Sequence, residues 1–149
     1  MMTGGGQLAC TKRRIKNANS PTLVFMGKTV LIVDDNAFVR RALRKLLTRE
    51  LGVNICEAQN GKEAINKAGE LQPDLIVLDV SMPQMNGLEA ARAIKGLLPA
   101  MPIILYSAFC NGFAKEEARS LGISELVPKS EHASVLIHKA RGLLYPTAA

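Results

Sequence analysis

The sequence predicts an α/β fold: a doubly wound sheet of five parallel strands with helices on both faces. Three observations carry this. Short apolar runs alternate with helical stripes five times between Lys28 and Leu144. Gly or Pro punctuates most of the junctions. Four of the runs end in polar residues able to do chemistry, at the carboxyl ends where open parallel sheets bind their ligands.

The elements follow in order. Thr29-Val30-Leu31-Ile32-Val33 reads as a strand and runs into Asp34-Asp35. From Asn36 to Leu51, the apolar residues Val39, Leu43, Leu46 and Leu47 recur at helical spacing among Arg40, Arg41, Arg44 and Lys45. Gly52 closes that helix, and Val53 to Ala58 reads as the second strand. Asn60 is placed to cap a helix from Gly61 to Leu71, with Pro73 beyond it. Leu75-Ile76-Val77-Leu78 then runs into Asp79. A loop over Met82 to Gly87 leads to a helix from Leu88 to Leu98, broken by Pro99 and Pro102. Ile103-Ile104-Leu105-Tyr106 delivers Ser107, and a helix from Asn111 to Leu121 ends at Gly122. Glu125-Leu126-Val127-Pro128 delivers Lys129, and Glu131 to Leu144 forms the last helix, stopped by Pro146.

At 149 residues the chain suits one folded domain, assigned to residues 27–146. Residues 1–26, with Gly4-Gly5-Gly6, a basic cluster and Asn17-Ala18-Asn19-Ser20-Pro21, lack sustained periodicity and read as a disordered basic extension. Met26 is then a candidate translation start. The apolar run from Thr22 to Met26 is too short for the core of a secretory signal. The net charge of +6 is uneven: Lys12, Arg13, Arg14, Lys16 and Lys28 stand among 28 residues without an acid. The other 14 of 19 Lys and Arg residues face 13 acids, so the folded part is nearly neutral and no direct nucleic-acid binding is expected. Cys10, Cys56 and Cys110 are widely spaced, which fits a reducing cytoplasm better than disulfides or zinc. His132 and His138 are six apart, which does not stack a metal pair on one helical face. No stretch has the length of a membrane span.

Asp34, Asp35, Asp79, Ser107 and Lys129 converge on one crevice in this fold. Three clustered acids either raise a pKa or hold a cation. All-oxygen ligands with room for water and phosphate oxygens favour Mg²⁺, with Mn²⁺ as a substitute. A carboxylate beside such a cation, an ammonium and a hydroxyl is equipped to accept a phosphoryl group. Taken singly, these signals have plainer readings. Asp34-Asp35 alone is better read as a helix cap, and Met82 and Met85 as loop packing. Gly27-Lys28-Thr29 echoes a P-loop but leads into a strand, with Thr22 where a glycine is required, so that reading is rejected.

Together the acid pair Asp34-Asp35, the stretch from Asp79-Val80-Ser81-Met82-Pro83 to Asn86-Gly87, Ser107-Ala108 and Pro128-Lys129 resemble the receiver domain of two-component response regulators, in particular chemotaxis receivers. The resemblance covers residues 28–145 and implies a flavodoxin-like strand order 2-1-3-4-5. It implies Asp79 as phosphoacceptor and Asp34 and Asp35 as metal acids, joined by Asp79 itself and the Ser81 backbone carbonyl. Ser107 and Lys129 become the phosphoryl contacts. The implied donor is a sensor histidine kinase or phosphotransfer protein. Output passes through protein contacts on the face of the fourth helix, fifth strand and fifth helix, with homodimerisation on phosphorylation as an option.

Two positions depart from the family. Leu126 stands where receivers carry Tyr or Phe, and Tyr106, adjoining Ser107, belongs on the opposite sheet face. Phe109, two residues past Ser107, is placed to hinder an attacking water and lengthen the life of an aspartyl phosphate. The leading expectation is a stand-alone, non-enzymatic phosphoacceptor switch. A receiver fragment of a DNA-binding regulator is the alternative, since Val127 to Glu131 resembles receivers that precede helix-turn-helix domains. A phosphate-ester hydrolase of the haloacid-dehalogenase kind is disfavoured by Ser81, which stands where that chemistry wants a second acid.

Overall fold

In the computed structural model, which describes residues 14–17, 20–25, 27–82, 85–108 and 112–147, the described residues form seven strands and five helices, which alternate from the third strand onward. They are β1 (Arg14–Asn17), β2 (Ser20–Phe25), β3 (Thr29–Val33), α1 (Ala37–Leu51), β4 (Asn54–Ala58), α2 (Gly61–Leu71) and β5 (Leu75–Asp79). There follow α3 (Gly87–Leu97), β6 (Ile103–Ser107), α4 (Gly112–Ser120), β7 (Glu125–Pro128) and α5 (Ala133–Leu144). Strands β3 to β7 form one sheet in the order β4-β3-β5-β6-β7, every pairing parallel. Counted within the sheet this is 2-1-3-4-5, as the resemblance implies. The order reverses between β3 and β5, which opens a crevice at their carboxyl ends.

Side chains alternate across the sheet with the period of two that a pleated strand imposes. Leu31, Val33, Ile76, Leu78, Ile103 and Leu105 face Ala64 and Ala68 of α2, Ala90, Ala91 and Ile94 of α3, and Ala118 of α4. Val30, Ile32, Val77 and Ile104 face Leu43 and Leu47 of α1 and Leu136, Ile137, Ala140 and Leu144 of α5. The central strands β3 and β5 are buried along their whole length, which is why both read as unbroken apolar runs. Each fully buried Leu, Ile or Val contributes about 1.5–3 kcal/mol of transfer free energy. The alanines of α2 and α3 allow those helices to approach closely.

Helix ends are set by local chemistry. Asn36 caps α1, its side chain accepting from the Phe38 and Val39 N–H groups, and Gly52 ends the helix at φ 64°, the left-handed region a glycine adopts without strain. Asn60 caps α2 through the Glu63 N–H as expected, and Asn86, read as loop, does the same for α3 through the Glu89 N–H.

One expectation is corrected. Part of the segment read as disordered forms an antiparallel strand pair, β1 with β2, in which Arg14 faces Phe25 and Ile15 faces Val24. Isoleucine, valine and phenylalanine favour extended backbone, and the turn-forming residue types Asn17, Ser20 and Pro21 outweighed that preference in the sequence. Among the described residues, no helix is long and apolar enough to cross a membrane.

Candidate functional site

The parallel register places the chemistry. Val33 pairs with Leu78, so Asp34 follows β3 beside Asp79 at the end of β5. Asp79 pairs with Tyr106 and Ser107 with Pro128, which sets Ser107 and Lys129 one step further along the same edge. The Lys129 N–H donates to the Ser107 carbonyl at 2.6 Å and ties the ends of β6 and β7 together. Asp34, Asp79 and Ser107 are 2%, 4% and 0% exposed, whereas Asp35 is exposed.

One carboxylate oxygen from each of Asp34, Asp35 and Asp79 lies within 4.8 Å of the others. Lys129 Nζ stands 3.0 Å from Asp34 Oδ2 and 3.4 Å from Asp79 Oδ1. The Ser81 N–H donates to Asp79 Oδ1 at 3.3 Å, turning the chain back over the acid. Asp34 is held on all sides. Its N–H donates to the Ala58 carbonyl, and its Oδ1 accepts from the Asn36 N–H at 2.8 Å. The acid pair therefore does not cap α1 itself; Asp34 braces the residue that does.

Burial pushes the Asp79 carboxyl above its ordinary pKa, and the neighbouring Asp34 charge adds to this, with Lys129 and the Ser81 N–H only partly offsetting them. Burial works against the Lys129 ammonium, but Asp34 and then Asp79 outweigh it and hold the amine more firmly protonated than usual. A cluster of three carboxylates facing one ammonium suits a hard divalent cation, and the all-oxygen donor set fits Mg²⁺. Met82 is buried and Met85 packs where a Gly61 Cβ would lie, both as loop packing. Leu126 packs on the α2–α3–α4 side, and Tyr106 on the α1–α5 side with its ring centroid 5.7 Å from Lys129 Nζ. The two positions thus occupy opposite sheet faces, as their spacing implies. Phe109 lies outside the described residues.

A set of residues that sequence reasoning missed flanks the site. Arg40 Nε donates to Glu57 Oε1 at 2.9 Å and Arg40 Nη1 to the Asp34 carbonyl at 2.7 Å, while Arg44 Nε reaches Glu57 Oε2 at 2.6 Å. The only trace in the sequence is a glutamate within the otherwise largely apolar strand β4. Burial would raise the Glu57 pKa, but Arg44 and Arg40 outweigh it and lower it from 4.5. A depressed carboxylate contributes stability above its unfolded pKa and loses it as pH falls through the folded value. The stability gap between wild type and Glu57→Gln is therefore expected to be full at neutral pH and to close on acidification below about pH 4.5. Chemical denaturation across that range measures it, and a gap independent of pH would contradict the ion pair.

A family model for the response regulator receiver domain matches residues 30–141. The chemotaxis protein CheY of Thermotoga maritima is 41% identical over 105 residues, covering 70% of this chain and 87% of that protein. A protein-glutamate methylesterase/protein-glutamine glutaminase of Methanosarcina mazei is 46% identical over 104 residues, covering 68% of this chain but 29% of the methylesterase. The chain thus spans less than a third of the length of that relative. Among solved structures, the response regulator TrrA of Thermotoga maritima, in complex with Mg²⁺ and BeF, superposes with a TM-score of 0.72 at 35% identity, over 78% of this chain and 99% of TrrA.

Proposed function

The chain belongs to the response regulator receiver domain family, and from that premise we propose that it is a Mg²⁺-dependent phosphoacceptor switch in which Asp79 takes the phosphoryl group. The observation that carries this reading is the placement of the Asp79 carboxylate among Asp34 and Asp35, with Lys129 3.4 Å away. Asp34, Asp35, Asp79 and the Ser81 carbonyl would hold the metal, and bound Mg²⁺ supplies neutralisation of phosphoryl charge. An Asp79 oxygen attacks phosphorus in line as the bond to the donor atom breaks, the electron pair leaving with the donor. Lys129 follows the charge from the acids onto the phosphoryl oxygens, and the Ser107 hydroxyl supplies a directional hydrogen bond.

The donor is a sensor histidine kinase or a phosphotransfer protein, and the setting is the cytoplasm. Ser107 leads toward α4, and Lys129 leads from β7 toward α5. A shift of either group on phosphorylation acts on that face, which makes α4, β7 and α5 the output surface and a route to homodimers. Incubation with acetyl phosphate and Mg²⁺ should add one phosphate to the intact mass of the wild type and none to Asp79→Ala. An unmodified wild type would refute the phosphoacceptor role.

A second reading is favoured by the methylesterase relative, of whose length the match covers 29%. In it this receiver is the regulatory part of a larger protein, whether enzyme or DNA-binding regulator, and has no stand-alone output. The full reading frame at the locus decides between the two.

A further inference from the structure

We propose that Arg40 is a positioning residue for the metal acids, its guanidinium anchored on Glu57 and fixing the plane of the Asp34–Asp35 peptide. This rests on the receiver reading above. Arg40 Nη1 donates to the Asp34 carbonyl at 2.7 Å, and that carbonyl belongs to the peptide unit from which Asp35 departs. The N–H of Asp34 is already fixed on the Ala58 carbonyl and both its carboxylate oxygens are engaged, by Asn36 and Lys129. Asp35 is exposed, so the direction of its carboxylate depends on the peptide plane behind it. Arg40 sets that plane from a sheltered position, its side chain 16% exposed.

The anchor is itself anchored. Glu57 takes Arg40 on one oxygen and Arg44 on the other, while Lys67 Nζ donates to the Glu57 carbonyl at 2.5 Å. Helices α1 and α2 thereby grip one residue of β4, and Arg40 carries the constraint across to the end of β3. The planar fork of arginine makes two directed bonds at once, which an ammonium does not reproduce.

Charge and position predict opposite signs. Removing a cation beside a cation site would by itself tighten Mg²⁺, whereas losing an outer-shell support typically weakens metal binding 10–100-fold. Calorimetric titration of the full chain with Mg²⁺ should show Arg40→Gln about ten-fold weaker than wild type. Arg40→Lys should also be weaker, because it keeps the charge but not the fork. Glu57→Gln should move in the same direction, and the double variant Arg40→Gln/Glu57→Gln should be no weaker than Arg40→Gln alone. Thermal melts in metal-free buffer establish that each variant is folded; if Arg40→Gln is not, Arg40→Lys and Glu57→Gln carry the test. Unchanged or tighter Mg²⁺ binding in the folded variants would overturn the proposal, whatever their stability. A wild type that neither binds Mg²⁺ nor takes phosphate would instead overturn the receiver chemistry, and the positioning role with it.

Discussion

Replacing Lys129 with methionine is expected to slow phosphorylation of Asp79 by acetyl phosphate about 100–1000-fold, the usual cost of deleting one preorganised donor to a developing oxyanion. The same substitution should tighten Mg²⁺, because the ammonium that contacts Asp34 at 3.0 Å and Asp79 at 3.4 Å no longer competes for those acids. The two assays therefore move in opposite directions. A third consequence concerns stability. Without Lys129, two nearly buried carboxylates face each other, and metal-free protein should lose about 2 kcal/mol. This is less than is typical of a broken buried pair, because burial and the Asp34 charge raise the Asp79 pKa and losing Lys129 raises it further, which makes the cluster easier to neutralise. Saturating Mg²⁺ should restore the melting temperature. A Lys129→Met protein phosphorylated at the wild-type rate would remove Lys129 from the chemistry.

Gly87→Ala is expected to damage the site through the backbone alone. A Cβ at Gly87 would lie 2.1 Å from the Asp79 carbonyl oxygen, 2.7 Å from Val80 Cα and 2.8 Å from the Asp79 carbonyl carbon. None of these is a side chain that can rotate away. The Gly87 N–H also donates to the Val80 carbonyl at 2.8 Å, so the start of α3 is pinned against the end of β5. Relief requires moving either the helix or the peptide that carries Asp79. The expected cost is about 3 kcal/mol, at the upper end for overpacking, with phosphorylation reduced more than stability alone explains. Denaturant unfolding together with the acetyl phosphate rate tests this; Gly69→Ala, where no atom lies within 4 Å of the added Cβ, is the control.

The fold was legible because its signals are local. Unbroken apolar runs at β3 and β5, the Asn36 and Asn60 caps and the Gly52 stop each act within a few residues. The convergence of Asp34, Asp35, Asp79 and Lys129 was legible for a related reason: in a parallel sheet, strand-end position is a spatial coordinate. What escaped is non-local. The reach of Arg40 to Glu57 spans 17 positions and depends on how α1 leans over β4, which no periodicity encodes. Asn86 was read as loop because its capping bond to Glu89 lies at the junction of a turn and a helix, where both readings use the same residue type. The strand pair before Gly27 escaped because turn-forming residues and a basic cluster outweighed the few extended-favouring residues in a reading by composition.

The bond between Lys129 and Asp34 joins residues 95 positions apart. Closing so long a loop costs more chain entropy than the local contacts within a helix or a βα turn. During synthesis, the acids at the ends of β3 and β5 emerge well before their counter-ion, and a nascent chain that has reached only β6 carries an incomplete pocket. On the proposed function, phosphate capture then waits on β7, the last strand of the sheet in chain order, which brings the amine beside Asp34 and Asp79.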